Sequence, residues 1–493
     1  RLKMINKDNG FNLGIRWRFT GGREYAFAFI ALFTFLIIIY ANSLQGAWQF
    51  DDAPNIVENK NIFLKTLDWS DINKTFYDIE NKKILRPLAY FSFALNYYFD
   101  ELNVVGYHVV NFIIHYLASV FLFLLIYDTL KLPTVRERYG SASYSIALLA
   151  TVLWATSPMQ VTAVTYIVQR MASMAGLFYI MALYFYLKGR LADQLCKNIL
   201  YGGLCVLSAL LSIATKENAV MLPLSIWLYD LLMIQGATRK NILKNFKLLG
   251  PVIIIVAAVV LWYVDISSIF SGAAYQCRPF TLKERLLTEP RIIIFYITLL
   301  LYPISSRLTL IHDIEISTSF LTPWSTLPGI GLILSCILIA MYIARRRPLI
   351  AFCILFFFLN HVIEGTFIPL ELIYEHRNYI PSMFFFVPVA IVMLYVIDYF
   401  SYKKVIQFTT VAVFSFLLSA QGHTVFMRNT IFAHPLLLWT DNVEKTPTLS
   451  RPHNNLGAAY WDMGFHDKAY ELYSKAGSLD RQTNLVNRGV NFH

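Results

Sequence analysis

The stretch YAFAFIALFTFLIIIYANSL (Tyr25 to Leu44) carries no charged side chain across 20 residues. A helix of that length is about 30 Å long, the thickness of the hydrocarbon layer of a bilayer. Similar runs recur along the chain. Hydrophobic residues make up 57% of it, only 15% of residues are charged, and the mean hydropathy is +0.51. A soluble chain carries about a quarter charged residues. The fold class this predicts is an all-α polytopic membrane protein.

Eleven spans are expected, roughly 24–44, 105–129, 143–158, 163–187, 198–214, 218–235, 248–265, 326–344, 348–363, 380–397 and 405–422. The first is full length and has no small-residue cleavage site, so it reads as an anchor rather than a cleavable signal. The net charge of +11 is concentrated in short loops on alternate sides of these spans, around Lys131, Lys188, Arg239, Arg345 and Lys403, and in residues 1–23. That distribution marks the cytoplasmic side and places the N-terminus inside. It is not a nucleic-acid footprint, because no basic face interleaves with aromatics. An odd number of crossings puts the C-terminus outside. RIIIFYITLLLYPI (Arg291 to Ile304) is too short to cross and reads as a re-entrant or interfacial helix within an outer loop, 266–325. The five cysteines, Cys196, Cys205, Cys277, Cys336 and Cys353, show no metal-ligand spacing and predict no structural disulfide.

The outer side then holds a first loop (45–104), the loop 266–325, a short loop (364–379) and a tail (423–493). The first loop opens with AWQFDDAPNIVENKNI, where Asp51 and Asp52 follow the first span by a few residues. One account is a solvated acidic turn before Pro54. The other is a proton acceptor at the membrane face, serving a hydroxyl while a lipid-linked group lies in the bilayer. A short helix is expected over 66–77. LRPLAYFSFALNYYF (Leu85 to Phe99) reads as an aromatic-rich interfacial helix with Arg86 at its start and Pro87 in its first turn.

His108, Asn111 and His115 share one face of the second span. Asn111 and His115 read as a structural stripe and His108, near the outer end, as a site residue. No ligand spacing supports zinc. Arg170 (two turns into the fourth span), Lys216, Glu217, Arg291, Glu371, Glu375, His376 and Arg377 are charged or polar groups at the outer ends of spans. There they are costly unless paired or functional. Structural ion pairs are one reading; a cationic pocket for a phosphate is the other. From Ser450 the order Leu456-Gly457, Tyr460, Gly464, Ala469, Tyr473, Ala476 fits a helix–turn–helix repeat of the tetratricopeptide type, at about 450–483, with a second beginning near Asn487. One repeat buries its faces poorly alone and must pack on the preceding helix, the membrane domain or a partner.

FDDAPNIVENKNI, RPLAYFSFALNYYF, YHVVNFIIH, SPMQVTAVTYIVQRMASMAG, TKENAVMLPL, LLTEPRIIIFYITLLLYP and ELIYEHRNYIPS occur in that order before the repeat. The whole resembles the bacterial relatives of the transmembrane and tetratricopeptide-repeat O-mannosyltransferases, from about 24 to 483. The resemblance implies a GT-C glycosyltransferase fold with about eleven transmembrane helices over 24–422. It also implies inverting transfer of a sugar from a polyprenyl-monophosphate donor to a hydroxyl, with a Ser/Thr of an exported protein as acceptor. Asp51 and Asp52 inherit the catalytic position, Asp51 as base and Asp52 assisting. Arg86, His108, Arg170, Lys216, Arg291, Glu375, His376 and Arg377 become the donor-phosphate and pocket residues. No metal or other cofactor is expected. The implied location is the bacterial inner membrane, with the repeat periplasmic and docking the acceptor. The chain departs from the family pattern at Ser157-Pro158 and Thr162, where a His-Pro pair and an acidic residue are usual. Two other readings are a non-catalytic scaffold whose repeat docks a partner, and a transferase acting on a glycolipid.

Overall fold

In the computed structural model, residues 22–77, 84, 86–263, 268–269, 272–276 and 278–486 are described. The basic N-terminus before residue 22, Cys277 and the start of a second repeat at Asn487 lie outside them. Among the described residues the chain is helical, apart from an isolated antiparallel bridge between Tyr77 and Ile84.

The elements that frame the site are α1 (Arg23–Tyr40), α2 (Trp69–Lys74), α3 (Pro87–Asp100), α4 (Val104–Thr129), α5 (Ser143–Ala155), α6 (Arg170–Arg190) and α7 (Leu195–Thr215). They are followed by α8 (Leu222–Tyr229), α9 (Arg239–Tyr263), α10 (Leu282–Leu301), α11 (Thr326–Ile343), α12 (Pro348–His361), α13 (Phe386–Tyr399) and α14 (Lys404–Ile431). Three further helices end the described chain: α15 (Pro435–Lys445), α16 (Ser450–Asp462) and α17 (His466–Val486).

Among the described residues, eight helices are long and apolar enough to cross a membrane, or up to 10 if each of two bent pairs is one span. The chain is a multi-pass membrane protein. The segments expected at 143–158 and 248–265 fall on the bent pairs, and 348–363 on the shorter apolar α12. The spans through α6 and α8 are each 67% buried and α4 is 56% buried, whereas α14 is 6% buried. The first three therefore lie at the centre of the bundle and α14 turns its apolar surface to the hydrocarbon. Small residues make the centre close. Gly176 on α6 lies against Tyr379, where a Cβ would sit 2.5 Å from the ring, and Ser212 on α7 donates to the Ala175 carbonyl (2.8 Å).

Two expectations about helix limits are corrected. Arg170 is not two turns into a span: residues 156–169 break into short turns, with a 52° bend before Pro158–Val164, and the helix restarts at Arg170 itself. The apolar helix expected from Arg291 begins at Leu282, because Thr281 and Glu284 form a capping box. Pro290 lies inside it.

The basic loops meet at one end of the bundle, where Arg138 donates to the Arg346 carbonyl (2.9 Å) and Arg345 to the Ala237 carbonyl (3.1 Å). The first loop, residues 364–379 and the C-terminal helices meet one another elsewhere. There Trp439 of α15 stacks edge-on against Phe50, Lys445 donates to the Leu308 carbonyl (2.8 Å), and Asn442 accepts from Thr309 and Ile311. The C-terminal hairpin, α16 against α17, thus packs on the preceding helix and on the membrane domain. Its tight spot is Gly457, whose added Cβ would lie 2.7 Å from the Tyr473 ring and 3.3 Å from the Ala469 carbonyl.

Gly457→Ala is expected to destabilise this hairpin by about 1–3 kcal/mol. Limited proteolysis in detergent checks it: cleavage between 450 and 486 should accelerate while the bundle stays intact, and an unchanged digest would refute the tight contact.

Candidate active site

The two neighbouring aspartates face different environments. Asp52 is fully buried. Its Oδ2 accepts the Gln49 N–H (2.8 Å) and its Oδ1 accepts the Val168 N–H (2.7 Å), so both carboxylate oxygens are spent on backbone. It staples the first loop to the broken segment before α6. Burial raises its pKa, opposed by the two amide donors. Asp51 is only partly buried. Its N–H donates to the Tyr166 hydroxyl oxygen (2.8 Å) and its carbonyl accepts from Asn55. Burial raises the Asp51 pKa; the neighbouring Tyr166 hydroxyl and Arg451 oppose this and Glu371 adds to it. Phe50, just before, is left-handed at φ 37°, a conformation disfavoured by about 1–3 kcal/mol in a bulky residue. Trp439 and the Arg451 guanidinium, 4.8 Å from the Phe50 ring centre, hold it there.

The predicted cations fall into two groups. Arg86, Lys216 and Arg377 surround His376. Arg86, at φ 46° ahead of α3, grips Glu217 through Nε and Nη2 (2.7–3.0 Å), and Lys216 pairs with Glu364 (3.3 Å). Arg377 donates to the Leu372 carbonyl (3.1 Å) and lies over the Tyr374 ring. Burial and then the three cations hold His376 well below the usual imidazole range, so it is neutral, and its buried Nδ1 has no hydrogen-bond partner among the described residues. Tyr374 stacks on His376 and lies under the Arg377 guanidinium. Burial raises its pKa; Arg451 and Arg377 oppose this, and Glu371 and Asp51 add to it.

Arg170, Arg291, His108 and Glu375 are engaged elsewhere. Arg170 is fully buried and spends its guanidinium on Asn111, Asn96, Ser92 and the Tyr107 carbonyl, tying α3 and α4 to α6. Arg291 bonds Ser325, Ser317 and the Glu315 carbonyl, and none of its partners belongs to the cation group. His108 bonds the Gly46 carbonyl (3.3 Å), its Nδ1 has no partner among the described residues, and it fills the space a Cβ at Gly46 would need. Glu375 accepts from the Thr309 N–H and His312. The stripe partner His115 accepts from Tyr379 O–H at Nδ1 and donates from Nε2 to the Ala155 carbonyl.

Sequence reasoning missed Tyr166, Tyr374, Glu364, Glu289, Arg285 and Arg451. Glu289 and Glu364 carried a signal, being carboxylates at the edges of apolar runs. Buried Arg285 pairs with Glu289 (2.6 Å) and donates to the carbonyls of Glu364, Thr366 and Leu370, so it shapes the 364–371 loop. Burial pushes Glu289 up to about 7. Next to this loop an apolar groove of about 570 Å³ opens between α8, α9, α10, α11 and α12, lined by Trp227, Ile242, Ile293, Ile337 and Phe358. Its polar end is His361, Gly365 and Thr366, beside Glu364. Among the described residues no group of three or more His, Cys, Asp or Glu side chains is arranged to hold a metal.

Comparison with known proteins points one way. The chain is similar to a protein O-mannosyl-transferase of Caenorhabditis elegans, 25% identical over 471 residues, covering 92% of this chain and 62% of that protein. It is 29% identical over 206 residues to the protein O-mannosyl-transferase TMTC3 of Homo sapiens, covering 40% of this chain and 21% of that one. The match to TMTC1 of Mus musculus is 32% over 165 residues, covering 32% and 16%. The chain thus spans less than two thirds of the length of these relatives. No family model matches, and no solved structure does.

The divided environments separate stability from chemistry. Asp52→Asn turns an NH2 toward a backbone donor inside the protein and is expected to cost about 1–3 kcal/mol. Asp51→Asn is expected to leave stability within about 0.5 kcal/mol. Thermal unfolding of the two purified variants checks this, and equal destabilisation would refute the assignment.

Proposed function

We propose that the protein is a GT-C-type membrane glycosyltransferase that moves a sugar from a polyprenyl-monophosphate donor to a hydroxyl of an exported protein. The observation that carries this reading is the part-exposed Asp51 carboxylate near Tyr374, whose ring stacks on a neutral histidine accompanied by three cations. In this reading the donor phosphate lies among Arg86, Lys216 and Arg377, with His376 donating a hydrogen bond. The prenyl chain runs along the apolar groove that ends at Thr366. Asp51 accepts the proton of a Ser or Thr hydroxyl as its oxygen bonds the anomeric carbon. The phosphate departs with the bonding pair from the opposite face, so configuration inverts. A raised carboxylate pKa brings the base nearer to neutral pH, where proton transfer is more favourable. The named activity of the relatives supports a protein acceptor and makes mannose the sugar to test first. Asp52 serves by fixing the loop.

The basic loops favour a cytoplasmic N-terminus. The reaction then takes place on the periplasmic side of a bacterial inner membrane, with the C-terminal repeat beside it to dock the acceptor. The transfer requires no metal, because the cations supply the charge that leaving-group departure needs.

Transfer in proteoliposomes, with polyprenyl-phosphate mannose and a Ser/Thr-rich peptide, tests the reading. Asp51→Asn should lose about 100-fold or more in rate, with donor binding retained; full transfer by this variant would refute the base. Lys216→Ala should weaken donor binding more than turnover, and a chelator should leave the rate unchanged. Transfer to a glycolipid but not to the peptide would move the acceptor class.

A further inference from the structure

The C-terminal hairpin reaches the site through one side chain. Arg451, in the first turn of α16, places its guanidinium 4.8 Å from the centre of the Phe50 ring and 3.3 Å from Glu371. Glu371 is also paired with Arg278 (2.7 Å), so the carboxylate is shared between two arginines and holds Arg451 only in part. Phe50 is the left-handed residue that precedes Asp51. The same ring is braced edge-on by Trp439 of α15 (5.4 Å).

We propose that Arg451 is a positioning residue of the Asp51 site, seated on Phe50 and Glu371 so that the C-terminal hairpin sets both the geometry and the charge state of Asp51. The proposal deepens the reading of Asp51 as the base and rests on it. In that arrangement the hairpin is part of the active site as well as a docking surface. The groups facing Asp51 come from every neighbouring element. Asp52 lies on its own turn, Tyr166 comes from the broken segment before α6, Tyr374 and Glu371 from the 364–379 loop, and Arg451 from α16. Tyr166 and Arg451 favour the carboxylate, whereas Glu371 opposes it. The electrostatic sign is therefore specific: loss of the arginine charge raises the pH needed to ionise Asp51, and loss of the Glu371 charge lowers it.

The test uses the full chain in proteoliposomes and two readouts. One is the pH profile for modification of Asp51 by a carbodiimide, which labels the protonated carboxyl and needs no substrate, quantified by mass spectrometry. The other is the pH profile of mannose transfer. For Arg451→Gln, modification should persist to higher pH. Transfer should fall roughly threefold further at about pH 6 than at about pH 8, a modest effect befitting a half-exposed charge. Arg451→Lys should keep the wild-type profiles. Glu371→Gln should move both profiles to lower pH, which keeps the proposal testable even if Arg451→Gln folds poorly. A carbodiimide profile unchanged in both charge-neutral variants, or a loss of transfer that is equal at all pH values and not rescued by lysine, would overturn the role of Arg451. Full transfer by Asp51→Asn would instead overturn the base, while the carbodiimide profiles would still report on the coupling.

Discussion

The carboxylate of Asp52 holds the site together. It is taken wholly out of water and accepts two backbone N–H groups from segments more than 100 residues apart in sequence. A buried carboxylate is stable only with such donors, and buried amides are equally in need of acceptors. The pairing locks the first loop against the broken segment before α6. It also fixes the register of its neighbours. Asp51 is left part-exposed beside Tyr166, and Phe50 is held in a left-handed turn that Trp439 and Arg451 brace. Two adjacent residues of one type thus come to lie in different environments because only one of them is enclosed.

A second constraint lies in the membrane. Helices α4 and α6 must pack closely without the aid of water, and they do so through small residues and one saturated arginine. Arg170 distributes its donors over α3 and α4, while Gly176 admits the ring of Tyr379, which in turn bonds His115. The polar stripe of the second span is therefore structural along its length. His108 belongs to it as well, filling the space at Gly46.

The helical class and the apolar segments were legible because continuous apolar runs leave the backbone few alternatives in hydrocarbon. The helix starting at Pro87 and the hairpin packing of Gly457 on Tyr473 were also legible, through proline placement and the small–large pattern. The break at 156–169 was not, because its turns are as apolar as the helices they join, and Arg170 was misplaced in consequence. The capping box at Thr281 was overlooked in favour of the apolar run that follows it. Within the site, Arg86, Lys216, His376 and Arg377 were found as isolated charges, but their meeting depends on tertiary packing. Arg451 gave no local signal, lying in a polar helix among many polar residues.

The charge balance around His376 adds an argument that single residues do not. Arg86, Lys216, Arg377 and Arg285 contribute four cations, and Glu217 and Glu364 offset two of them. Glu289 would offset a third, but burial pushes it up to about 7, so near neutrality it carries only part of a charge. Over these side chains alone, between one and two positive charges are left in a largely buried place, next to an imidazole kept neutral by burial first and by the cations second. Such a surplus is costly in a low-dielectric setting unless an anion answers it. A sugar-bearing polyprenyl monophosphate carries a single negative charge, and its hydrocarbon tail suits a groove lined by Trp227, Ile293 and Phe358. A free nucleotide sugar would bring more charge and no use for that groove. The balance therefore supports the proposed lipid-linked donor on grounds of charge and solvation together.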